Sequence, residues 1–458
     1  MAKDWAFSEA KHVLLTRDAP FARIICNAAW LGSGQIAGDV CAVAYLMVLS
    51  TALGIERFNA LILILAIGQG VSHVCGFQSW RFIVRYGRQT SRSNFFAMCR
   101  WVAARDLAVG GIGGAICAVA IALFSSHLGL PDDLHGTAML FSLSLLASQR
   151  GIPCGLLRLA QHFSVCAMLD MLLPILRLLV AAATIVFDLG INGVLTGWVI
   201  SEGVITGLYW LAALSHRPTL PPSDMTSSDA IDTEKAKSRF YWLSGSSEAL
   251  RLCAPDLLLL AIAWNGGTSA LGAFRLITAV AKAASKPAST LAIAFYTEAL
   301  HSRVAANARK LKATFQLTGI ATLVLTLCSF CLCSLTSAPA FASQGVAATI
   351  GIGGTALIGS FTAILEARLL VNQAPAIVPL GRIMNLAFTL ALPVLLAAQD
   401  KGPAAAIGAL IAGALHSLLL LAQFKFKQPS LRPFPDEMSA EPQLVIRITG
   451  RQLHAPLA

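Results

Sequence analysis

The segment GAFRLITAVAKAASKPA (272–288) carries Arg275, Lys282 and Lys286 in otherwise apolar surroundings. At i, i+7 and i+11, the three cations share one stripe of an α-helix. Clustered Arg and Lys do one kind of chemistry well: they hold an anion, phosphate above all, by charge-assisted hydrogen bonds. In a membrane each such cation costs about 2.5–3.5 kcal/mol on insertion scales, and three together cost about 8–10 kcal/mol. Something in the fold has to face that stripe. Lys282 is the hardest of the three to place elsewhere, because it lies roughly 15 Å of helix from either end of its apolar run.

Other ionisable residues in apolar runs are few and unevenly spread. They are Asp39, His73, Asp170, Arg177, Glu202, Glu248, Arg251, Asp256 and Arg382. Glu248 and Arg251, at i and i+3, are spaced either to pair with each other or to face a ligand together. Asp256, Lys286 and Arg382 lie nearer the ends of their runs, where a long side chain can snorkel. Across 241–292 the cations outnumber the acids, and that excess calls for an anionic ligand in an aqueous lumen. The acids Asp39, Glu202, Glu248 and Asp256 are candidates for ion coupling. For Asp39, deep in GSGQIAGDVCAV, the alternative is a hydrogen bond that joins two helices.

The elements that position these residues follow from composition. Apolar residues make up 56% of the chain and charged residues 12%, with a mean hydropathy of +0.70. Charged residues average about 25% in soluble domains, so this chain reads as an all-α polytopic membrane protein. Twelve spans are expected, near 24–49, 58–77, 107–129, 134–150, 165–187 and 191–214, then 241–263, 268–292, 313–335, 346–367, 376–397 and 403–422. The fourth is short and the eighth long, which points to tilt or re-entry. A lumen would be lined mainly by spans 1, 2, 7 and 8.

Outside the spans, every Lys and Arg except Arg57 and Lys401 falls on the side shared by the two termini. By the positive-inside rule both termini are therefore cytoplasmic. The same asymmetry accounts for most of the +11 net charge and leaves no case for a nucleic-acid partner. The first residues contain Asp4 and Glu9 and lack the pattern of a signal peptide. Trp5, Phe7, Leu14 and Leu15 suit a short interfacial helix. The 1–21 segment thus precedes a six-helix lobe at 22–214. A polar Pro- and Ser-containing linker at 215–239 leads to a second lobe at 240–424 and a cytoplasmic tail at 425–458. The halves form a parallel repeat: each second long span runs into a basic segment, and a single Arg recurs in each fifth span, as Arg177 and Arg382.

No cofactor or metal is expected. CSFCLC (328–333) holds a CxxC inside an apolar helix with no second ligand pair, and GGIGG (110–114) and GIGGTALIG (351–359) suit close helix packing. No nucleotide-binding GxxxxGK[ST] loop is present. The expected exterior loops are all short, which leaves no room for the outer-face site of a membrane-embedded polymerase or glycosyltransferase.

Three stretches carry a family resemblance: LGIERFNALILILAIGQGVSHVCGFQSWRFIVRYG, GLLRLAQHFSVCAMLDMLLPILRLLVAAATIVFDLG and GAFRLITAVAKAASKPASTLAIAFYTEALHSRV. They resemble the Wzx-type lipid-linked oligosaccharide flippases of the MOP superfamily, which also holds the MATE drug exporters and the lipid II flippase. The likeness covers most of 22–424; Thr297 stands where a proline is expected, and 429–458 has no counterpart. The resemblance implies two six-helix lobes around a central cavity that opens to alternate sides of a bacterial inner membrane. It implies a transporter, not an enzyme, that moves an undecaprenyl-pyrophosphate-linked oligosaccharide outward for O-antigen or exopolysaccharide synthesis. The pyrophosphate would lie against Arg275, Lys282 and Lys286, with Arg251, Arg177 and Arg382 as further contacts. Lipid-linked oligosaccharide and the bilayer would be partners, together with the polysaccharide polymerase and chain-length machinery. The competing expectation is a MATE-like ion-coupled exporter of another substrate, which would favour acids over cations in the cavity.

The topology makes one direct prediction. Protease added to inside-out vesicles should cut within 215–239, and protease added to intact spheroplasts should not; cleavage from outside would reverse the orientation.

Overall fold

The run FNALILILAI has no polar face beyond Asn59, and a helix apolar on all sides belongs in the middle of a bundle. The computed structural model places it there: Phe58 through Ile67 are all buried. The structure describes residues 20–75, 79–87, 90, 92–124, 130–216, 234–266 and 271–302, with a few single positions beyond, Glu366 and Arg382 among them.

The described residues are helical, with no strand among them. Helix α1 (Pro20–Cys75) contains the first two expected spans as two arms, broken at Gly54 with φ 72° and ψ 165°. That positive φ is one glycine adopts without strain, and the expected exterior loop near 50–57 reduces to this break. Helices α2 (Trp80–Tyr86), α3 (Arg92–Phe124), α4 (His135–Ala147), α5 (Gly151–Leu159), α6 (Phe163–Phe187) and α7 (Gly190–Ser215) follow. The second half supplies α8 (Glu234–Gly266) and α9 (Leu271–Ser302). Among the described residues, four stretches are long and apolar enough to cross a membrane: Arg23–His73, Asn94–Leu123, Phe163–Phe187 and Gly190–Ser215.

Several expected boundaries shift. Helix α3 begins well before residue 107, because FFAMCRWVAARD buries Phe95 and Val102 while Arg100 stays exposed. Helix α8 starts at Glu234, so the last six residues of the expected 215–239 linker are its first turns, with an acid at the positive end of the helix dipole. Helix α1 likewise begins at Pro20, inside the expected 1–21 segment. Helix α4 has 13 residues, about 20 Å, less than a full crossing. The interfacial helix expected near the N-terminus, the spans expected at 313–335, 346–367, 376–397 and 403–422, the CSFCLC run and the 425–458 tail lie outside the described residues.

Short helix α2 sits within an expected basic segment, and short helix α5 between the expected fourth and fifth spans. They pack on each other and on α8 and α9 through Trp80, Phe82, Tyr86, Ile152, Phe240, Tyr241, Phe295 and Tyr296. Phe82 stacks on Trp101 at 5.5 Å, and Trp80 meets Tyr296 edge-on at 5.9 Å. Arginines fill the gaps by lying over ring faces: Arg105 on Trp101 at 3.4 Å, Arg158 on Trp80 at 4.1 Å and Arg85 on Phe240 at 4.5 Å. Each such contact contributes about 0.5–2 kcal/mol, more as it is desolvated.

Helix α1 packs along α6, α8 and α9. Gly34 and Gly38, one turn apart, form its close approach to α6: a Cβ on Gly34 would sit 2.5 Å from the Ala167 carbonyl oxygen, and one on Gly38 would sit 3.2 Å from Pro174 Cγ. Gly34→Ala is therefore expected to destabilise the folded protein by about 1–3 kcal/mol through forced backbone movement. Gly111→Ala, where a Cβ meets nothing within 4 Å, should be neutral. Thermal unfolding of the two purified variants checks the contrast.

Candidate functional site

A carboxylate buried in an apolar bundle must find a cation or hydrogen-bond donors: Asp106 accepts from the Ser79 and Tyr241 hydroxyls at 2.6 and 2.7 Å, and most of the others described here meet a cation. The pairs form a ladder between the first half of the chain and the second. Arg23 on α1 donates from Nη2 and Nε to Glu298 Oε1 on α9, at 2.6 and 2.9 Å. Lys286 Nζ on α9 lies 3.8 Å from Asp39 Oδ2 on α1. Arg275 Nη1 on α9 donates to Asp256 Oδ1 on α8 at 2.8 Å, while its Nη2 donates to Gln69 on α1. His73 Nδ1 on α1 is 3.0 Å from Asp256 Oδ2. Arg81 Nη2 on α2 donates to Glu248 Oε2 on α8 at 3.0 Å, and Arg251 Nε donates to the same oxygen at 3.0 Å. Nη2, on the same guanidinium edge of Arg251, donates to Glu248 Oε1.

Two further centres lie within one half each. Glu202 on α7 is clamped by Arg150 and by Arg177 Nη2, the latter at 2.6 Å, with Arg177 5.1 Å from the centroid of the buried Trp198 ring. In the second half Arg382 Nε lies 2.6 Å from Glu366 Oε1. Asp170, the remaining acid of α6, accepts a hydrogen bond from Tyr209 at 2.5 Å.

The structure thus joins residues that the sequence set in separate roles. Arg275, Lys286, Arg251, Arg177 and Arg382, expected against an anionic ligand, each contact a carboxylate. Four of those carboxylates belong to Asp39, Asp256, Glu248 and Glu202, the candidate ion-coupling acids. The Glu248–Arg251 spacing resolves as a bidentate pair. Lys282 lies on α9 between Arg275 and Lys286, and its side chain is outside the described set. Arg23, Gln69, His73, Arg81, Arg150, Glu298 and Glu366 were not singled out as site residues. Nothing in the local sequence marks them, because each becomes significant only through a partner 50 or more residues away, or, for Glu366, one contributed by a different span.

Pairing does not use up the cations. The acids are deeply buried: Asp256 is 1% exposed, and Glu248 and Glu298 are comparable. Their partners are less so: in Arg251 32% of the side chain is open, in Lys286 20% and in Arg275 16%. Glu202 and Glu248 each face two arginines, so each of those centres carries an excess positive charge. Chemically, this is a set of cations held from behind by acids, with guanidinium and ammonium edges left for a further anion. Among the described residues no group of His, Cys, Asp and Glu has metal-binding geometry.

This architecture is the fold of the MATE transporters, which have twelve transmembrane helices in two lobes. A MATE transporter in complex with MaD3S matches with a TM-score of 0.63 and 16% identity over 89% of this chain and 96% of that one. A MOP-superfamily transporter from Pyrococcus furiosus, described as having a binding pocket of reverse polarity and a different function, matches with a TM-score of 0.60 and 14% identity. That match covers 89% of this chain and 95% of the other. In sequence, the chain is 25% identical over 290 residues to the inner membrane protein YghQ of Escherichia coli K12, covering 62% of this chain and 82% of that protein. No family model matches. The chain has long apolar helices and the fold of the MATE transporters.

The Glu202 centre gives a test of the pairing. Glu202→Gln leaves Arg150 and Arg177 facing each other without a counter-charge, and removing one partner of a buried pair costs about 3–5 kcal/mol. Folded yield from membranes, read by size-exclusion profile, should fall sharply for Glu202→Gln. It should recover in part when Arg177→Gln is added; equal yields would show that the clamp contributes little.

Proposed function

We propose that this transporter is a flippase for a lipid-linked oligosaccharide, with the pyrophosphate of an undecaprenyl carrier held by the cations of α8 and α9. The observation that carries this reading is the asymmetry at Glu248 and Asp256, where the acids are buried and Arg251 and Arg275 partly open, with positive charge in excess. A cavity for cationic drugs would present the reverse polarity. The Wzx-like motifs of α1, α6 and α9 point the same way. So does the reverse-polarity pocket described for the Pyrococcus furiosus transporter, whose fold this chain shares.

The geometry suggests how such a substrate would be handled. In the closed ladder the two halves are joined by Arg23–Glu298, Asp39–Lys286, Gln69–Arg275, His73–Asp256 and Arg81–Glu248. Alternating access requires the halves to part, and each broken pair would strand a charge in a site of low dielectric. A pyrophosphate offers Lys286, Lys282 and Arg275 a replacement counter-charge. The Asp39–Lys286 contact, at 3.8 Å, is the loosest of the inter-half contacts and the easiest for a phosphate oxygen to displace. The substrate would thus stabilise the separated halves by the differential contact that a population shift needs.

Lys282→Ala should weaken binding of an isoprenoid pyrophosphate to the purified protein about ten- to a hundredfold, the worth of one charge-assisted phosphate contact of about 1.5–3 kcal/mol. Its membrane level should be unchanged, because the substitution removes an insertion cost. Lys282→Arg should retain part of the affinity. A well-folded Lys282→Ala protein with undiminished binding would overturn the pyrophosphate assignment and leave a MATE-like exporter of another cargo.

A further inference from the structure

Away from the ladder, the packing of α5 on α6 brings two cysteines and an arginine together. Cys154 and Arg158 are i and i+4 on one face of α5, and Cys166 and Asp170 are i and i+4 on the facing side of α6. A tight turn at Gln161, with φ 62°, folds one helix back on the other. Cys166 is fully buried in the cluster formed with Leu157, Phe163, Ile205 and Tyr209, and Cys154 packs against its edge, half-buried. The two thiols are hydrogen-bonded to each other.

Arg158 is the unusual member. It is 5% exposed, its guanidinium lies on the Trp80 ring, and its Nε and Nη1 have no hydrogen-bond partner. The arginines of the ladder each contact a carboxylate. Asp170, whose charge acts on Arg158, accepts its hydrogen bond from Tyr209. A buried guanidinium with two open donors is stabilised by an adjacent anion, and the groups within reach that can become one are the thiols.

We propose that Cys154 is a reactive thiolate stabilised by Arg158, and that it forms with Cys166 a dithiol which hydroperoxides close into a disulfide joining α5 to α6. The charges around the pair agree with this assignment. The hydrogen bond from Cys166 draws the Cys154 thiol below its ordinary value, with help from Arg158 and Arg150 and against burial and Asp170. In the reaction, the Cys154 thiolate attacks a hydroperoxide oxygen and breaks the O–O bond, releasing hydroxide or alkoxide. The resulting sulfenic acid condenses with the Cys166 thiol and loses water. Two thiols are oxidised while one hydroperoxide is reduced to an alcohol, or to water for hydrogen peroxide. The site is independent of the substrate assignment. It lies at the end of the bundle that the charge asymmetry makes cytoplasmic, where such oxidation is transient and reversed by cellular thiols.

The test uses the full-length protein in detergent, kept reduced until the start. Alkylation with N-ethylmaleimide at about pH 6.5, mapped by mass spectrometry, should modify Cys154 about tenfold faster than the half-buried Cys26 and Cys41. Hydrogen peroxide should then give a Cys154–Cys166 cross-linked peptide that dithiothreitol removes. In Cys166→Ser it should give instead a Cys154 sulfenic acid trapped by dimedone. Arg158→Met should abolish the rate advantage at about pH 6.5 and label Cys154 at the unaltered protein's rate at about pH 9.5, where every thiol is increasingly ionised. If that variant fails to fold, the pH profile of Cys154 labelling in the unaltered protein serves, expected to stay flat to lower pH than that of Cys26. Labelling of Cys154 no faster than Cys26 across that range, with no cross-linked peptide, would overturn the proposal.

Discussion

The constraint on which this molecule depends is that a carboxylate removed from water has to be met, by a cation in the ladder and by hydroxyl donors at Asp106 and Asp170. Asp256, Glu248 and Glu298 are each almost wholly enclosed, and none could remain ionised there alone. Each is met by a residue from the other half of the chain: His73, Arg81 and Arg23 respectively. The charges that look like a liability in single spans are therefore what ties α1 and α2 to α8 and α9. The packing around them is built to allow it. Glycines bring α1 close to α6, and the run Phe58–Ile67 in the second arm of α1 fills the bundle centre without a charge of its own.

The same constraint explains why the ladder suits transport. Buried pairs are weak net stabilisers, because the cost of taking both ions out of water offsets most of their attraction. Breaking one without replacement is expensive, and exchanging its partner for another anion is not. An interface made of such pairs is thus easily reorganised by a ligand of the right charge and resists reorganisation by any other. The aromatic and arginine cluster of α2, α5, α8 and α9 is different in kind. Its guanidiniums lie on rings and its contacts are dense and apolar, so it holds one end of the bundle as a packed unit while the ladder beside it can exchange partners.

How much of this was legible in the chain differs from element to element. The FNALILILAI run announced a helix buried on all sides, and the break at Gly54 fell inside the short loop expected between the first two spans. GSGQIAGD had the spacing of a close-packing face, and the short exterior turns near 130–133 and 188–190 were where the helices end. Helix α3 was read too short because a charged stretch was taken as the end of a helix, whereas the helix runs through it, with Phe95 and Val102 buried, Arg100 exposed and Asp106 buried against Ser79 and Tyr241. Helix α2 was read as part of a basic segment for the same reason, and α5 falls between the expected fourth and fifth spans. In α7 the buried face (Val194, Trp198, Glu202, Ile205, Tyr209) and the outward face (Ile200, Val204, Leu211, Leu214) are both mostly apolar. Hydropathy cannot separate them, because lipid and protein interior make nearly the same demand on a side chain.

By itself the sequence determined the class of the protein, the placement of its spans among the described residues and the sign of the charge that its interior carries in excess. Those follow from local quantities, namely apolar length, turn residues and the cost of a cation in hydrocarbon, which depend on near neighbours alone. Only the tertiary structure decided which acid meets which cation. Arg23 and Glu298 are 275 residues apart, and Arg81 and Glu248 are 167 apart. No periodicity along a helix encodes a meeting over such separations. It is set by how helices cross, and a crossing is fixed jointly by the glycines, the aromatic cluster and the charges themselves.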